Sequence, residues 1–222
     1  MHINPALKHY IESQIFPKYD KYYSHGILHI NNVIQNCLML AESYNLDPNM
    51  SYVMASYHDV GLDIGRDNHE YTSGQVLIND QNLKQFFSSE QLNIMKEAIE
   101  DHRGSRKEPP RNFYGKILSD SDRDFDITVL AKRQLATSIK NYPEYHTFPQ
   151  HFERCYQYIM NRLNQDGNFN LWTNHPILIK RRTEFQSHYL DKPYTESIYK
   201  QEWDHIIAAN LLDKIKNYYE DY

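Results

Sequence analysis

Apolar residues in this chain recur at intervals of three and four, and alternating runs of Val, Ile and Thr are scarce. Ile27, Ile30, Val33, Ile34, Cys37, Leu38 and Ala41 share one face at that spacing, which predicts an amphipathic helix over roughly 26–44. Asp47-Pro48 offers an N-cap and a first-turn proline for a helix running to about His58. Gly61 and Gly65 break the next segment into a loop, and another helix is expected from near His69 to Ile78. Ser88 with Gln91 makes a capping-box pattern that opens a helix through Ile99. Residues 103–112 read as a polar loop bearing prolines, and from Tyr114 the chain reads as helical through Lys140. The period returns at Phe152, Cys155, Tyr156, Ile159 and Leu163, with Asp166-Gly167 expected to end that helix and with Pro176 and Thr195 marking further starts. The expected fold is all-α. It is read as a single domain over 1–222, with a core at about 18–135 and a C-terminal helical extension at about 143–222.

Composition narrows the class. Hydrophobic residues make up 40% and aromatics 14%, enough to bury a core in a chain of 222 residues. A net charge of -5 offers no basic face for tracking long nucleic acid. Cys37 and Cys155 both fall in apolar helical patterns and read as small buried thiols, as expected in a reducing compartment. Residues 1–16 lack the pattern of a signal peptide, and no stretch approaches the ~18 apolar residues of a membrane helix. A cytoplasmic location is therefore expected.

The candidate chemistry lies in the first half. His58-Asp59 follows the apolar run Val53 to Tyr57, so a polar pair sits at the inner end of a core helix. Leaving that carboxylate buried and unpaired costs several kcal/mol, so it needs either a metal ion or a His-Asp hydrogen bond. His29 shares a face with Ile30, Val33 and Cys37, and reads as a ligand or as a core residue. Ile117-Leu118 leads into Asp120, Asp122, Asp124 and Asp126, which cannot all be buried. One can point inward while the others meet solvent or Arg123.

Taken in order, His29, His58-Asp59 and Asp122 resemble the signature of the HD superfamily of metal-dependent phosphohydrolases. The local sequences SHGILHINNV, ASYHDVG and GKILSDSDRD are similar to the motifs of that family, over about residues 18–135. The resemblance implies an HD-type helical bundle with additional C-terminal helices, and a metal held by His29, His58, Asp59 and Asp122, with Asp120 competing for the last position. His69 and His102 fall between the His-Asp pair and Asp122, where some members of the family bind a second metal and others contact substrate phosphate. His25 lies one turn before His29 and is a candidate for substrate binding.

These imidazole and carboxylate donors suit one or two divalent ions among Mn, Fe, Co, Ni, Zn and Mg. The expected activity is hydrolysis of a nucleotide or another small phosphoester or phosphoanhydride by metal-activated water. Asp59 is expected as a terminal or bridging ligand, Glu70 as the general acid/base with Asp63 as a second candidate, and Arg66, Arg103 and Arg106 as holders of substrate phosphate. Two other readings use the same residues: an HD-fold di-iron oxygenase, and a non-catalytic regulatory protein that binds metal or nucleotide.

Overall fold

The computed structural model describes residues 2–20, 26–123, 125–163, 169 and 171–217. His25, Asp124 and the Asp166-Gly167 helix end lie outside the described residues. All regular structure among the described residues is helical. The chain divides into two compact units, Met1–Arg123 and Asp124–Asp221.

In the first unit, α1 (Pro5–Gln14) opens where the Asn4 side chain accepts hydrogen bonds from the Ala6 and Leu7 amides, with Pro5 in the first turn. α2 (Ile27–Ser43) buries His29, Ile30, Val33, Cys37 and Leu40 along one stripe, the face read from the sequence. α3 (Pro48–Tyr57) is capped by Asp47, whose side chain accepts from the Asn49 and Met50 amides. It is buried along almost its whole length and ends at His58. A 3-10 turn over Val60–Asp63 follows, and then α4 (His69–Asn79). Both halves of the Ser88–Gln91 capping box are formed at the start of α5 (Ser89–Glu100). The segment after it is irregular up to α6 (Phe113–Ser121).

α3 is the centre of this unit, packed against α1, α2, α4, α5 and α6. The 3-10 turn rests on α4, and that contact depends on a missing side chain. A Cβ on Gly61 would sit 2.4 Å from the His69 carbonyl oxygen and 2.7 Å from the Ser73 amide nitrogen. Only glycine lets the turn after Asp59 lie flat on the first turn of α4, where the Ser73 hydroxyl accepts the Gly61 N–H at 2.8 Å. Tyr10 and Tyr57 both donate to Asp80 Oδ2, which ties α1 and α3 to the end of α4.

The second unit holds α7 (Ile127–Asn141), α8 (Phe148–Leu163), α9 (Pro176–Leu190), α10 (Lys192–Ala208) and α11 (Leu212–Asn217). Its core is aromatic, with Phe152, Tyr156, Phe185, Tyr189 and Tyr199 in mutual contact. Two helix boundaries differ from the sequence reading. The helical stretch expected from Tyr114 through Lys140 is interrupted after Asp122, because Asp126 turns its carboxylate onto the Thr128 and Val129 amides and starts a new helix. The start expected at Thr195 lies earlier, because Asp191 caps α10 through the Tyr194 amide and Pro193 fills the first turn. Cys37 and Cys155 are buried free thiols, as the sequence pattern indicated.

Candidate metal centre

Helix ends converge on one buried point in the first unit. His29 stands in the first turn of α2, His58 at the end of α3 and Asp59 just past it. His69 begins α4, His102 follows α5, and Asp122 closes α6. His29, His58, Asp59, His69 and His102 are all buried. Ligand atoms of His29, His58 and Asp59, of His58, His102 and Asp122, and of Asp59, His69 and His102 each lie within 4.8 Å of one another. Asp120, also buried, is not in these groups.

The rings are oriented by a repeated device. His58 Nδ1 donates to the Ala55 carbonyl at 2.8 Å, His69 Nδ1 to the Arg66 carbonyl at 2.9 Å and His102 Nδ1 to the Ile99 carbonyl at 2.6 Å. A carbonyl only accepts, so each Nδ1 carries its proton and each Nε2 is left to face the centre. There His58 Nε2 lies 3.3 Å from His29 Nε2, and His29 Nε2 lies 3.2 Å from Asp122 Oδ1.

Asp59 is the hub. Its Oδ2 lies 3.4 Å from His58 Nε2 and 3.8 Å from His29 Nε2, while its Oδ1 lies 3.2 Å from His69 Nε2 and 3.6 Å from His102 Nε2. Each carboxylate oxygen therefore faces its own pair of histidines.

The electrostatics call for positive charge at this point. Burial opposes the ionised form of Asp59, but His58, His102 and His69 outweigh it and hold its pKa well below the usual carboxylate range. Asp122 is held low in the same way, against burial, by His29 and His58. Burial likewise disfavours charged His58, yet Asp59 and Asp122 raise its pKa well above the ordinary value; burial also opposes charge on His69, and Asp59 raises its pKa in turn. Neutral Nε2 lone pairs this close to carboxylate oxygens repel unless a proton or a cation lies between them. The donor set, imidazole nitrogen and carboxylate oxygen with no thiolate, fits a divalent ion.

At the edge of the cluster, Glu70 Oε1 pairs with Arg103 Nη1 at 3.4 Å, and Glu70 Oε2 lies 3.5 Å from His69 Nδ1. Arg66 has an exposed side chain, and its link to the cluster is the carbonyl that holds His69. Arg106 is committed to its own loop, 3.1 Å from Asp101 Oδ1 and donating to the Glu108 carbonyl. Asp101, not singled out in the sequence, is a buried carboxylate directly before His102. It also accepts the Arg111 backbone N–H at 2.8 Å and Arg111 Nε at 2.9 Å, so it ties the irregular segment back to the end of α5. Its only sequence signal is a carboxylate beside a candidate histidine, which is too common to stand out.

No curated protein matches the chain. Among solved structures it is similar to the crystal structure of a predicted HD superfamily hydrolase from an uncultured Thermotogales bacterium. The identity is 19%, the match covers 71% of this chain and 87% of that one, and the TM-score is 0.45. A profile of the HD domain family matches residues 26–126, a span that holds all six side chains of the cluster. Residues 26–126 of this chain form an HD domain.

Proposed function

We propose that the protein is a metal-dependent phosphohydrolase acting on a nucleotide or another small phosphoester or phosphoanhydride. One observation carries the reading: Asp59 offers a separate carboxylate oxygen to each of two histidine pairs. His29, His58, Asp59 and Asp122 would hold one divalent ion, and Asp59, His69 and His102 a second. Bound ions of this kind bring the pKa of a water ligand toward neutrality and take up charge that develops on a phosphoryl oxygen.

The chain's own residues supply the rest. The three carbonyl-anchored imidazoles keep their Nε2 atoms aimed at the centre, so little reorganisation is needed on binding. Glu70, half-buried beside His69, would serve as the general acid/base. Arg103 is partly exposed and pairs, among the described residues, with Glu70, so its guanidinium would be available to a substrate phosphate, whereas Arg106 is engaged with Asp101. The same paired arrangement favours a second reading, a di-iron oxygenase built on the same ligands.

The test is elemental analysis of protein purified without added metal, followed by assays of phosphate release and oxygen uptake. Phosphate release from p-nitrophenyl phosphate or a nucleotide panel, abolished by Asp59→Ala and reduced by Glu70→Gln, would support the hydrolase. Bound iron with oxygen uptake and no phosphate release would support the oxygenase. Failure to hold any metal after reconstitution would remove both.

A further inference from the structure

α3 carries His58 and Asp59 just past its last turn, where the final carbonyls of the helix have no partner within it. Side chains take two of them. The Ala55 carbonyl accepts His58 Nδ1, which belongs to the centre itself. The Ser56 carbonyl accepts the hydroxyl of Tyr19 at 2.9 Å, from a residue 37 positions away in the chain. Tyr19 ends a 3-10 turn over Phe16–Tyr19 that packs against the Val60–Asp63 turn. It lies before the span 26–126 that matches the HD domain family.

The backbone N–H of Asp59 is directed at the same phenolic oxygen. Burial, and after it the charge of Asp59, hold the phenol's pKa well above its ordinary value against the pull of that N–H, so the hydroxyl keeps its proton and remains a donor. The Tyr19 hydroxyl therefore stands at the end of the α3 ladder, giving to Ser56 and facing the amide of Asp59. There Asp59 leaves the helical path, with φ at -111° and ψ at 6°. Its two carboxylate oxygens lie 3.2–3.8 Å from four imidazole Nε2 atoms, so a rotation of the Asp59 backbone moves all four distances together. The Tyr19 ring is fully buried, and its hydroxyl acts through the main chain without touching substrate.

We infer that Tyr19, on a segment outside the HD span, is a positioning residue for the metal centre: its hydroxyl fixes the turn after α3 and with it the direction in which Asp59 presents its two oxygens. The inference rests on the metal-binding reading of the cluster. Tyr10 provides the comparison, since it lies in the same N-terminal segment and also donates a buried-side hydrogen bond, to Asp80 Oδ2 at the far end of α4.

The experiment is a cobalt(II) titration of the full chain in competition with a chelator, with the visible spectrum of bound cobalt as a second readout. Tyr19→Phe keeps the ring and loses the hydroxyl. It should weaken cobalt binding about 10- to 100-fold, the loss expected for a group that orients a ligand, and shift the ligand-field bands at saturation. Tyr10→Phe should leave both affinity and bands as in the wild type. Equal losses in the two variants, or a Tyr19→Phe protein with a lowered melting temperature but wild-type affinity and bands, would reduce Tyr19 to a packing role and overturn the inference. If Tyr19→Phe does not fold, 3-fluorotyrosine at position 19 keeps the hydroxyl and gives the answer by fluorine NMR. Its resonance should shift on addition of zinc, that of 3-fluorotyrosine at position 10 should not, and no shift at position 19 would overturn the inference. A wild-type chain that takes up no metal would overturn the metal-binding reading together with this inference, whereas equally tight binding by wild type and Tyr19→Phe would overturn the inference alone.

Discussion

Both units of this chain bury histidines, and they treat them in opposite ways. In the first unit, burial alone would keep His58 and His69 neutral, but Asp59 and Asp122 reverse the sign and raise their pKa values. In the second unit His151 is equally buried, yet no carboxylate among the described residues contacts it. Its Nδ1 lies 2.8 Å from Ser138 Oγ, and its ring packs on Tyr145 and Trp203. Burial lowers its pKa, with Arg154, His146 and Lys216 pushing the same way against the Tyr145 backbone. Being buried does not make a histidine a ligand. What its second nitrogen faces decides.

The largest effect should come from removing the anion on which this contrast rests. Asp59→Ala is expected to weaken metal binding by at least about 100-fold, read by elemental analysis after dialysis, because both histidine pairs lose their shared carboxylate. His151→Ala should leave the metal content unchanged. Equal metal loss in the two variants would erase the distinction between the regions.

Next is Gly61→Ala. The added methyl meets backbone atoms of His69 and Ser73, which cannot swing aside as a side chain could. A destabilisation of about 1–3 kcal/mol is expected in chemical denaturation, together with preferential loss of the metal bound near His69. Unchanged stability and stoichiometry would show that the turn has room to shift.

The two regions should also part company with pH. In the metal-free protein, the raised pKa values of His58 and His69 contribute stability that is complete below their unfolded value of about 6.5 and is lost as pH climbs through the folded values. The lowered pKa values of Asp59 and Asp122 contribute stability above about 3.9 that is lost as pH falls through the folded values. The melting temperature of chelator-treated protein should therefore decline on the alkaline side. Metal affinity should rise with pH, since bound protons compete, and metal addition should release protons to an unbuffered solution.

The smallest effect should belong to His151. Its folded pKa is lowered, so the unfolded chain binds the proton more readily, and this contribution fades as pH falls from about 6.5 toward the folded value. His151→Phe should flatten that part of the stability profile. An unaltered profile would show that the buried imidazole does not set it.

Helix starts marked by side-chain chemistry were legible in the sequence. Asp47-Pro48 and the Ser88–Gln91 box act through neighbours only two or three residues away, so the string of letters contains them. Asn4-Pro5 carries the same signal and opens a helix the sequence reading left unassigned. The break after Asp122 was hidden because an aspartate reads alike as a solvated helical residue and as a cap, and the backbone chooses between them. At the site, the ligand candidates could be named from order and local motif, but the way Asp59 divides its oxygens between two histidine pairs depends on where four helix ends and a turn meet. The pairing of Arg106 with Asp101 lies in an irregular segment without a period to reveal it.

The three carbonyl anchors have one more consequence. Each ring is held by the residue three positions before it, and the holder is main chain in every case: Ala55, Arg66 and Ile99. The identity of those side chains is irrelevant to the bond. The orientation of the centre is therefore encoded in the shape of helix termini, and no single substitution at the anchor positions can erase it without bending the backbone. Such a scheme is mutationally quiet. The bond itself leaves exposed Arg66 open to engineering, while Ala55 and Ile99 stay constrained by core packing, and each terminus is a helical end that carries its own aimed imidazole.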